Sequence, residues 1–444
     1  MDLPQEIYAL IVDEVATELS TLRACAKASR ALLYPAYPHL FSHIRLTVST
    51  DDSKVWDFIS LLRSSPHFPD VSIAPYIRTF ELDLPNIRSI DVRSASNLPD
   101  SELWRVLNSF TRVEHLKVLA SEYLPLSFET HQYFLSRDFV DLCHSPSLSK
   151  LSLSSITEIP IHLLHHFRFS HVDLSMVSFV SHPSEQPTFV HQLDSIVVDI
   201  LSFRSIALAL NGSLTYSPRL QEAFGRLRTL DLRSFAAIGL ILCLEVAAAC
   251  ASLENLSVHI QAAHMWNRAN EIKPDPTFLF HPFSSLCTLR IFSTVVWRPT
   301  SRFFINPLVS LLNQTTLPGS LQTLDIGVKT SSADADRVVE SVCSPDKQTE
   351  WHRLDAVLAD PQFAAVPRLR LVFGFVLNNF DVGRMDRQSD SEDLFVAHTQ
   401  KAVEGALPVF RRTRILSFTG QLSVVCNKFD FSGFPSDDLI VDSY

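Results

Sequence analysis

Apolar residues recur along the chain in the order apolar-x-x-apolar-x-apolar, where x is mostly polar. The clearest copies of this pattern begin at Leu148, Leu227, Leu253, Leu286 and Leu321. The last three positions of each copy alternate apolar, polar, apolar, which is typical of a strand that is buried on one face. In the copy that begins at Leu227, Leu230 and Leu232 are expected to point inward, whereas Thr229 and Asp231 point outward. Each copy therefore predicts a β-strand.

The copies are spaced like the units of a repeat protein. Weaker copies begin at Ile77, Val113, Phe169, Leu193, Val366 and Thr413. The shorter intervals, such as Leu227 to Leu253, match the roughly 20–29 residues of a leucine-rich repeat. Residues between copies carry helical patterns, for example Leu308, Val309 and Leu312 before Pro318. The predicted fold class is α/β: a leucine-rich-repeat solenoid with a curved parallel sheet over residues 77–444, in which each unit is stabilised by its neighbours.

The first 46 residues lack this repeat and read as short helices. Pro4 suits the first turn of a helix, and Ile7, Leu10 and Ile11 form the apolar face of that helix. Ser20 is expected to cap a second helix. We therefore expect a small all-helical module over residues 1–46 and a connecting segment or solenoid cap over residues 47–76.

Three stretches of this module resemble an F-box. They are Leu3-Pro4-x-Glu6-Ile7-x-x-x-Ile11, Thr21-Leu22-Arg23-Ala24-Cys25-x-x-Ala28-Ser29-Arg30, and the continuation Pro38–Leu46. Leu32 stands where the family usually has Trp, and Ala28 where Val is common. Trp351-His-Arg-Leu354-Asp355-Ala-Val-Leu358 also resembles a segment of leucine-rich-repeat F-box proteins of fungi.

The resemblance implies a function for both parts of the chain. F-box modules bind a Skp-type adaptor, which connects them to a cullin-RING (SCF) ubiquitin ligase, while the rest of the chain selects the substrate protein. By the family pattern, the residues expected to contact the adaptor are Leu3, Pro4, Ile7, Ile11, Leu22, Cys25, Ser29 and Leu32. The alternative is that the same residues pack the module onto the first repeat of an interaction scaffold that has no ubiquitin-ligase role.

The outward strand positions of the strong repeats predict the substrate site. They are Lys150, Thr229, Asp231, Arg233, Asn255, Ser257, His259, Thr288, Arg290, Thr323 and Asp325. Both signs of charge are present, which favours a partner recognised by local charge complementarity. In this interpretation the protein is a receptor that does no bond chemistry itself.

Composition and motifs argue against several other classes of function. A formal net charge of −10 without a basic stripe argues against nucleic acid as a partner. No glycine-rich phosphate loop or nucleophile elbow is present, so we expect no cofactor and no catalytic site. The seven Cys are scattered and no secretory signal opens the sequence, which together predict a cytoplasmic or nuclear protein.

Two segments suggest other kinds of site, and neither fits well. Phe235–Leu253 is strongly apolar, but it is short for a bilayer and contains Glu245, so we expect a packed helix and no membrane association. His162, His165, His166 and His171 form the densest histidine cluster. Because neither a Cys ligand nor an HExxH motif accompanies them, no metal is expected.

Overall fold

The structure is a computed structural model. It describes residues 4–48, 53–62, 72–84, 107–108, 110–121, 125–128, 137–161, 169–181, 193–211, 224–235, 250–261, 283–296, 306–313, 316–332, 345–377 and 407. The chain divides into two compact units. Unit 1 comprises Met1–Ile260, Arg268–Leu289 and Thr315–Gln322, and unit 2 comprises Gln261–Asn267, Arg290–Gln314 and Thr323–Tyr444.

Unit 1 begins with helices and continues as alternating strands and helices. Its helices are α1 (Gln5–Glu14), α2 (Leu19–Ala28), α3 (Arg30–Leu40), α4 (Ser53–Leu62), α5 (Arg137–Cys143) and α6 (Ile200–Asn211), with a 3-10 turn at Ala74–Tyr76. Its long strands are β1 (His43–Thr47), β2 (Thr79–Leu84), β3 (His115–Ala120), β5 (Lys150–Ser154), β8 (His171–Ser175), β10 (Ser195–Asp199), β11 (Thr229–Phe235) and β12 (Asn255–Gln261). Two-residue strands β4 (Leu126–Ser127), β6 (Ile156–Thr157), β7 (Ile159–Pro160) and β9 (Phe179–Val180) form two separate small pairs.

Unit 2 contains the remaining described elements. They are β13 (Thr288–Val296, from Arg290 onward), α7 (Asn306–Asn313), β14 (Thr323–Ser332), α8 (Pro345–Leu358), α9 (Pro361–Ala364) and β15 (Arg368–Leu377). Trp351 and Leu354 of α8 are fully buried, and Asp355 beside them is also buried. The segment that resembles fungal F-box proteins therefore belongs to the core of this unit.

The long strands of unit 1 form one parallel sheet, so the predicted α/β class is confirmed at that level. The strand order is β1-β2-β3-β5-β8-β10-β11-β12, and each of these neighbouring pairs is parallel. The order follows the chain, with only the two-residue strands left out. Each strand between β1 and β12 in this order therefore pairs with the long strand before it and the long strand after it in sequence.

Each repeat copy that falls on described residues forms a strand of this kind, as predicted. The apolar positions are buried: Leu227, Leu230 and Leu232 are almost entirely inaccessible to solvent, as are Leu253 and Leu256 in the next copy. The five strong copies and the weak copies at Ile77, Val113, Phe169, Leu193 and Val366 lead into strands. The copy at Thr413 lies outside the described residues.

A shared backbone carbonyl precedes each long strand of unit 1. The carbonyl of Glu114 accepts hydrogen bonds from the N–H groups of both Ser149 and Lys150, at 3.0 and 2.9 Å. Asp194 does the same for Arg228 and Thr229, both at 2.9 Å. This contact pairs the start of one strand with the start of the next strand, so the strand starts are held in a constant register. Further along, the register between β11 and β12 shifts between Leu232 and Phe235.

Aromatic residues fill the layer beside the strands. The first apolar residue of several copies donates its N–H to a carbonyl three residues earlier, as in Leu227 to Phe224 (2.9 Å) and Leu286 to Phe283 (3.3 Å). Both Phe side chains are buried. The ring of Phe80 packs against Phe58 and Phe110, each with a centroid separation of 5.7 Å. This layer accounts for part of the high Phe content.

The N-terminal helices have a small core of their own. Val12, Leu22 and Ala36, one from each helix, pack together. The Ser29 hydroxyl accepts a hydrogen bond from the Leu32 N–H at 3.2 Å and so caps α3. The predicted cap at Ser20 is wrong, because α2 begins one residue earlier, at Leu19, and has no side-chain cap.

The parallel sheet begins inside the range assigned to the helical module. Strand β1 starts at His43 and pairs with β2, with His43 opposite Thr79. Tyr37 of α3 lies 5.8 Å from the ring of Tyr76, which ends the 3-10 turn before β2. Strand pairing and aromatic contacts thus connect the helices directly to the sheet.

No helix within the described ranges is both long enough and apolar enough to cross a bilayer. The predicted helix at Phe235–Leu253 is mostly untested, since residues 236–249 lie outside those ranges. Phe235 itself is the last residue of β11, and Leu253 is buried at the start of the next copy.

We predict that Leu230→Ala destabilises unit 1 by about 2–5 kcal/mol, because Leu230 is fully buried and lies between Ile196 and Leu256 in adjacent strands. The matched control is Thr229→Ala at the neighbouring outward position, which should change stability by only about 0.5 kcal/mol. Urea unfolding followed by circular dichroism measures both. Equal effects would contradict the inward and outward assignment.

Candidate interaction face

The outward side of the long strands of unit 1 carries its polar side chains in rows, and we call it the strand face. Constant register places equivalent residues of successive strands side by side, about 4.8 Å apart. The first row is His43, Thr79, His115, Lys150, His171, Ser195, Thr229 and Asn255. The second row is Arg45, Glu81, Lys117, Ser152, Asp173, Val197, Asp231 and Ser257.

The structure brings together most of the predicted substrate residues in unit 1. Lys150, Thr229 and Asn255 share the first row, and Asp231 and Ser257 share the second. Arg233, His259 and Thr288 also lie at alternating, outward positions of their strands. Arg290, Thr323 and Asp325 occupy the corresponding positions of unit 2.

Opposite charges alternate at the beginning of the second row. The Glu81 carboxylate is almost entirely buried and lies 3.1 Å from Nε of Arg45 and 3.4 Å from Nζ of Lys117. Arg45 also reaches Asp83, at 2.8 Å. These ion pairs connect three adjacent strands, since Arg45 belongs to β1, Glu81 to β2 and Lys117 to β3.

Arg233, two residues after Asp231 on β11, contacts the second row near its other end. Its guanidinium lies 3.5 Å from Asp231 and 3.8 Å from Asp173, which are separated by the apolar side chain of Val197. His259 adds a contact to Asp231 at 3.4 Å. Arg233 was predicted as a substrate contact, yet its charge is already balanced by two carboxylates of the same unit.

Two half-buried histidines, His115 and His171, lie in the middle of the first row. Nε2 of His115 lies 2.9 Å from the Ser152 hydroxyl, and Nδ1 of His171 lies 3.0 Å from the Ser195 hydroxyl. Burial lowers the pKa of His115 to about 4, and the charges of Lys117 and Lys150 act in the same direction. Burial also lowers the pKa of His171. His115 is therefore neutral at pH 7 and is a weak base.

Unit 2 carries a different arrangement of charge. Asp325 is nearly buried, with Nε of Arg290 3.4 Å and Nε of Arg370 3.7 Å from its two oxygens. The Phe292 ring lies against Gly327, so that a Cβ added at Gly327 would overlap the ring carbon Cδ1. One carboxylate therefore faces two cations here, beside an aromatic ring.

A second exposed surface lies on α1, and we call it the α1 stripe. Ile7, Leu10 and Ile11 occur at helical spacing and are 39%, 61% and 43% exposed. Exposed apolar residues on one helical face are typical of an interaction surface. Pro4, another predicted adaptor contact, is exposed at the start of the same helix.

The structure corrects the prediction for Leu22. Its side chain is only 1% exposed and belongs to the core of the module with Val12 and Ala36, so it cannot serve as an exposed anchor. The remaining predicted adaptor residues have mixed environments. Cys25 and Leu32 are half-buried, Ser29 is the exposed cap of α3, and Leu3 lies outside the described residues.

Sequence reasoning missed several residues of the strand face because it used only the strong repeats. Glu81, Lys117 and Asp173 lie in weak copies, at the same position between two apolar residues as Asp231. Arg45 belongs to a copy at Phe41, Ile44 and Leu46 that was included in the F-box resemblance. Arg370, next to Asp325, lies in the weak copy at Val366. The expectation that the residue between two apolar strand positions points outward, applied to the weak copies as well, would have found these residues.

No cluster of three or more potential metal ligands occurs among the described residues. Of the predicted histidine cluster, residues 162–168 lie outside the described residues, and His171 is part of the first row.

Searches against protein-family models and against curated proteins return no match to this chain.

We predict that His115 makes unit 1 less stable as the pH falls from about 6.5 to about 4. Over this window the unfolded chain binds a proton at the imidazole, whose ordinary pKa is 6.5, whereas the folded chain does not. Acid therefore favours the unfolded state. His115→Asn should lose less stability than the wild type between pH 7 and about pH 4.5, as measured by urea midpoints. Equal losses in both proteins would show that His115 is not the group responsible.

We predict that Gly327→Ala destabilises unit 2 by about 1–3 kcal/mol, because the new methyl group would overlap the Phe292 ring and displace it. Gly319→Ala is the matched control, since a Cβ there has no neighbour within 4 Å. Thermal unfolding of both variants gives the comparison. The double variant Gly327→Ala with Phe292→Ala should recover part of the loss if the ring is the cause.

Proposed function

We propose that the protein is the substrate-recognition subunit of an SCF-type ubiquitin ligase. The N-terminal helices would act as an F-box that docks a Skp-type adaptor, and the following strands would act as a leucine-rich-repeat solenoid that binds the substrate. The observation that carries the proposal is the α1 stripe: a folded three-helix module exposes apolar residues at the positions of its F-box resemblance.

Both faces of α1 support this assignment. Val12 on one side is fully buried in the module, whereas Ile7, Leu10 and Ile11 on another side are exposed. A helix that only packed onto the sheet would need one apolar face. The second apolar face is what a helix-binding partner uses.

The repeat array supports the substrate half of the proposal. Its inward positions are leucine-rich and buried, while its outward positions form rows of mainly polar and charged groups. In this mechanism the receptor holds a substrate lysine near an E2 enzyme carried elsewhere in the complex. The gain comes from effective concentration and orientation, and the receptor itself makes or breaks no bond.

We predict that Ile7→Asp with Ile11→Asp removes capture of a Skp-type adaptor by the full-length chain. Apolar anchors of this kind contribute about 2–4 kcal/mol each, so the loss of either one alone corresponds to roughly a 30- to 1000-fold loss of affinity. Because both residues are exposed, the unfolding temperature should change little. Co-purification and titration calorimetry with purified adaptor measure the effect.

Leu201→Asp is the matched control, because Leu201 is an exposed apolar residue on α6, 56% accessible. It should leave adaptor capture unchanged. Leu22→Asp is unsuitable, since charging a buried core residue would unfold the module. Full adaptor capture by the Ile7/Ile11 variant would reject the proposed interface. Absence of capture by the wild type would favour the alternative of a scaffold with no ubiquitin-ligase role.

A further inference from the structure

The outward side of the strands of unit 2 differs from the strand face of unit 1 in its charge balance. Strands β14 and β15 pair in parallel over ten residues, which places Arg370 beside Asp325 and Val372 beside Gly327. Arg290 of β13 contacts the same Asp325 carboxylate. One carboxylate is therefore shared by two guanidinium groups, the reverse of Arg233 in unit 1, which is shared by two carboxylates.

The two arginines retain hydrogen-bonding capacity. Nε of Arg290 and Nε of Arg370 lie 3.4 and 3.7 Å from the Asp325 carboxylate, and the two arginine side chains are 54% and 50% exposed. Asp325 is 10% exposed. Within the described chain neither arginine has another ion pair. Both guanidinium-bearing side chains are thus accessible to an incoming anion, and Arg368 adds a third exposed cation nearby on β15.

An aromatic ring borders this pair of cations. Phe292 is two residues after Arg290 and therefore lies on the same side of β13. Its ring rests against the backbone at Gly327, where any side chain would overlap it. The ring is half-buried, so one part packs on β14 and another part is accessible. Apolar and cationic groups are consequently adjacent on one surface.

We propose that Arg290, Phe292, Asp325 and Arg370 form a binding site for an extended acidic segment of a partner protein. A side-chain carboxylate of the segment would lie between the two guanidinium groups, and an apolar side chain would pack on Phe292. Guanidinium groups match carboxylates in shape and charge, which makes them suited to this contact. The proposal rests on the proposed function, because the segment would belong to the substrate.

The chemistry favours a polypeptide over a nucleic acid. The chain has a formal net charge of −10, so a long polyanion is repelled at a distance and only a local cluster attracts. Alternating acidic and apolar side chains on an extended segment would satisfy both parts of the surface, because alternate side chains of a strand point to the same side.

The probe is a short fluorescein-labelled peptide in which Glu and Leu alternate, with blocked termini, titrated with full-length protein and followed by fluorescence anisotropy. We expect it to bind at least about tenfold more tightly than the same peptide with Gln in place of Glu. Arg290→Gln with Arg370→Gln should remove this preference. Arg228→Gln, at an exposed arginine of unit 1, is the matched control and should retain it.

A second variant distinguishes loss of binding from loss of folding. Removing both arginines leaves Asp325 buried without a cation, which is destabilising. Adding Asp325→Asn to the two Arg→Gln substitutions removes that charge, and this triple variant should also lose the preference for the Glu peptide while keeping its thermal unfolding transition.

Four results would overturn the site: equal binding of the Glu and Gln peptides by the wild type, retained preference in the folded triple variant, an equal loss in Arg228→Gln, or tighter binding of oligothymidine than of the Glu peptide. Adaptor capture, measured on the same preparations, separates this site from the proposed function. Peptide preference without adaptor capture rejects the ligase role alone, and adaptor capture without peptide preference rejects the site alone.

Discussion

The arrangement of unit 1 depends on a backbone hydrogen bond that is repeated at the start of its strands. The carbonyl that precedes one strand accepts two N–H groups from the chain entering the next strand, as Glu114 does for Ser149 and Lys150. Because both donors are adjacent residues, a shift by one residue would break the contact. Segments of different length between strands are thereby tolerated without any change in the register of the sheet.

Constant register determines which side chains can interact. Glu81 meets Arg45 and Lys117 because all three occupy the third position of successive strands. These ion pairs join residues distant in sequence, and each connects neighbouring strands. They can stabilise the sheet only when the backbone hydrogen bonds between strands keep these residues in register. Charge on the outward side of the strands therefore has two arrangements. Paired groups reinforce the array, and cations in excess, as at Arg290 and Arg370, carry the proposed binding site.

The strands were predictable from the sequence because burial of alternate leucines is a local property. Leu230 and Leu232 identify a strand without reference to any other part of the chain. The ion pairs were not predictable, since Arg233 and Asp173 are brought together by register across β10, which no local pattern contains. The prediction that Leu22 is an adaptor contact was wrong for a related reason. Helical spacing identifies an apolar face but does not say whether that face meets the module's own core or a partner.

At three strained turns, hydrogen bonds from the neighbouring repeat stabilise a backbone conformation that usually requires glycine. Ser155, Glu158 and Met176 have positive φ values of 56°, 60° and 55°, which side chains other than glycine adopt at a cost. Each is held by the neighbouring repeat: the Ser155 N–H donates to the Ser175 carbonyl at 2.8 Å, Glu158 to the Ser178 hydroxyl at 2.9 Å, and Met176 to the Asp199 carboxylate. Such positions persist because the following strand fixes them.

The chain contains only ten glycines, and at Gly327 the requirement is of another kind. The absence of a side chain there lets the Phe292 ring approach the backbone of β14, which a methyl group would prevent. Turn geometry can be supplied by hydrogen bonds from an adjacent repeat, but space for an aromatic ring can be supplied only by removing atoms. A glycine placed on the outward face of a strand, where it weakens the strand itself, is thus best explained by the ring that it positions beside the two arginines.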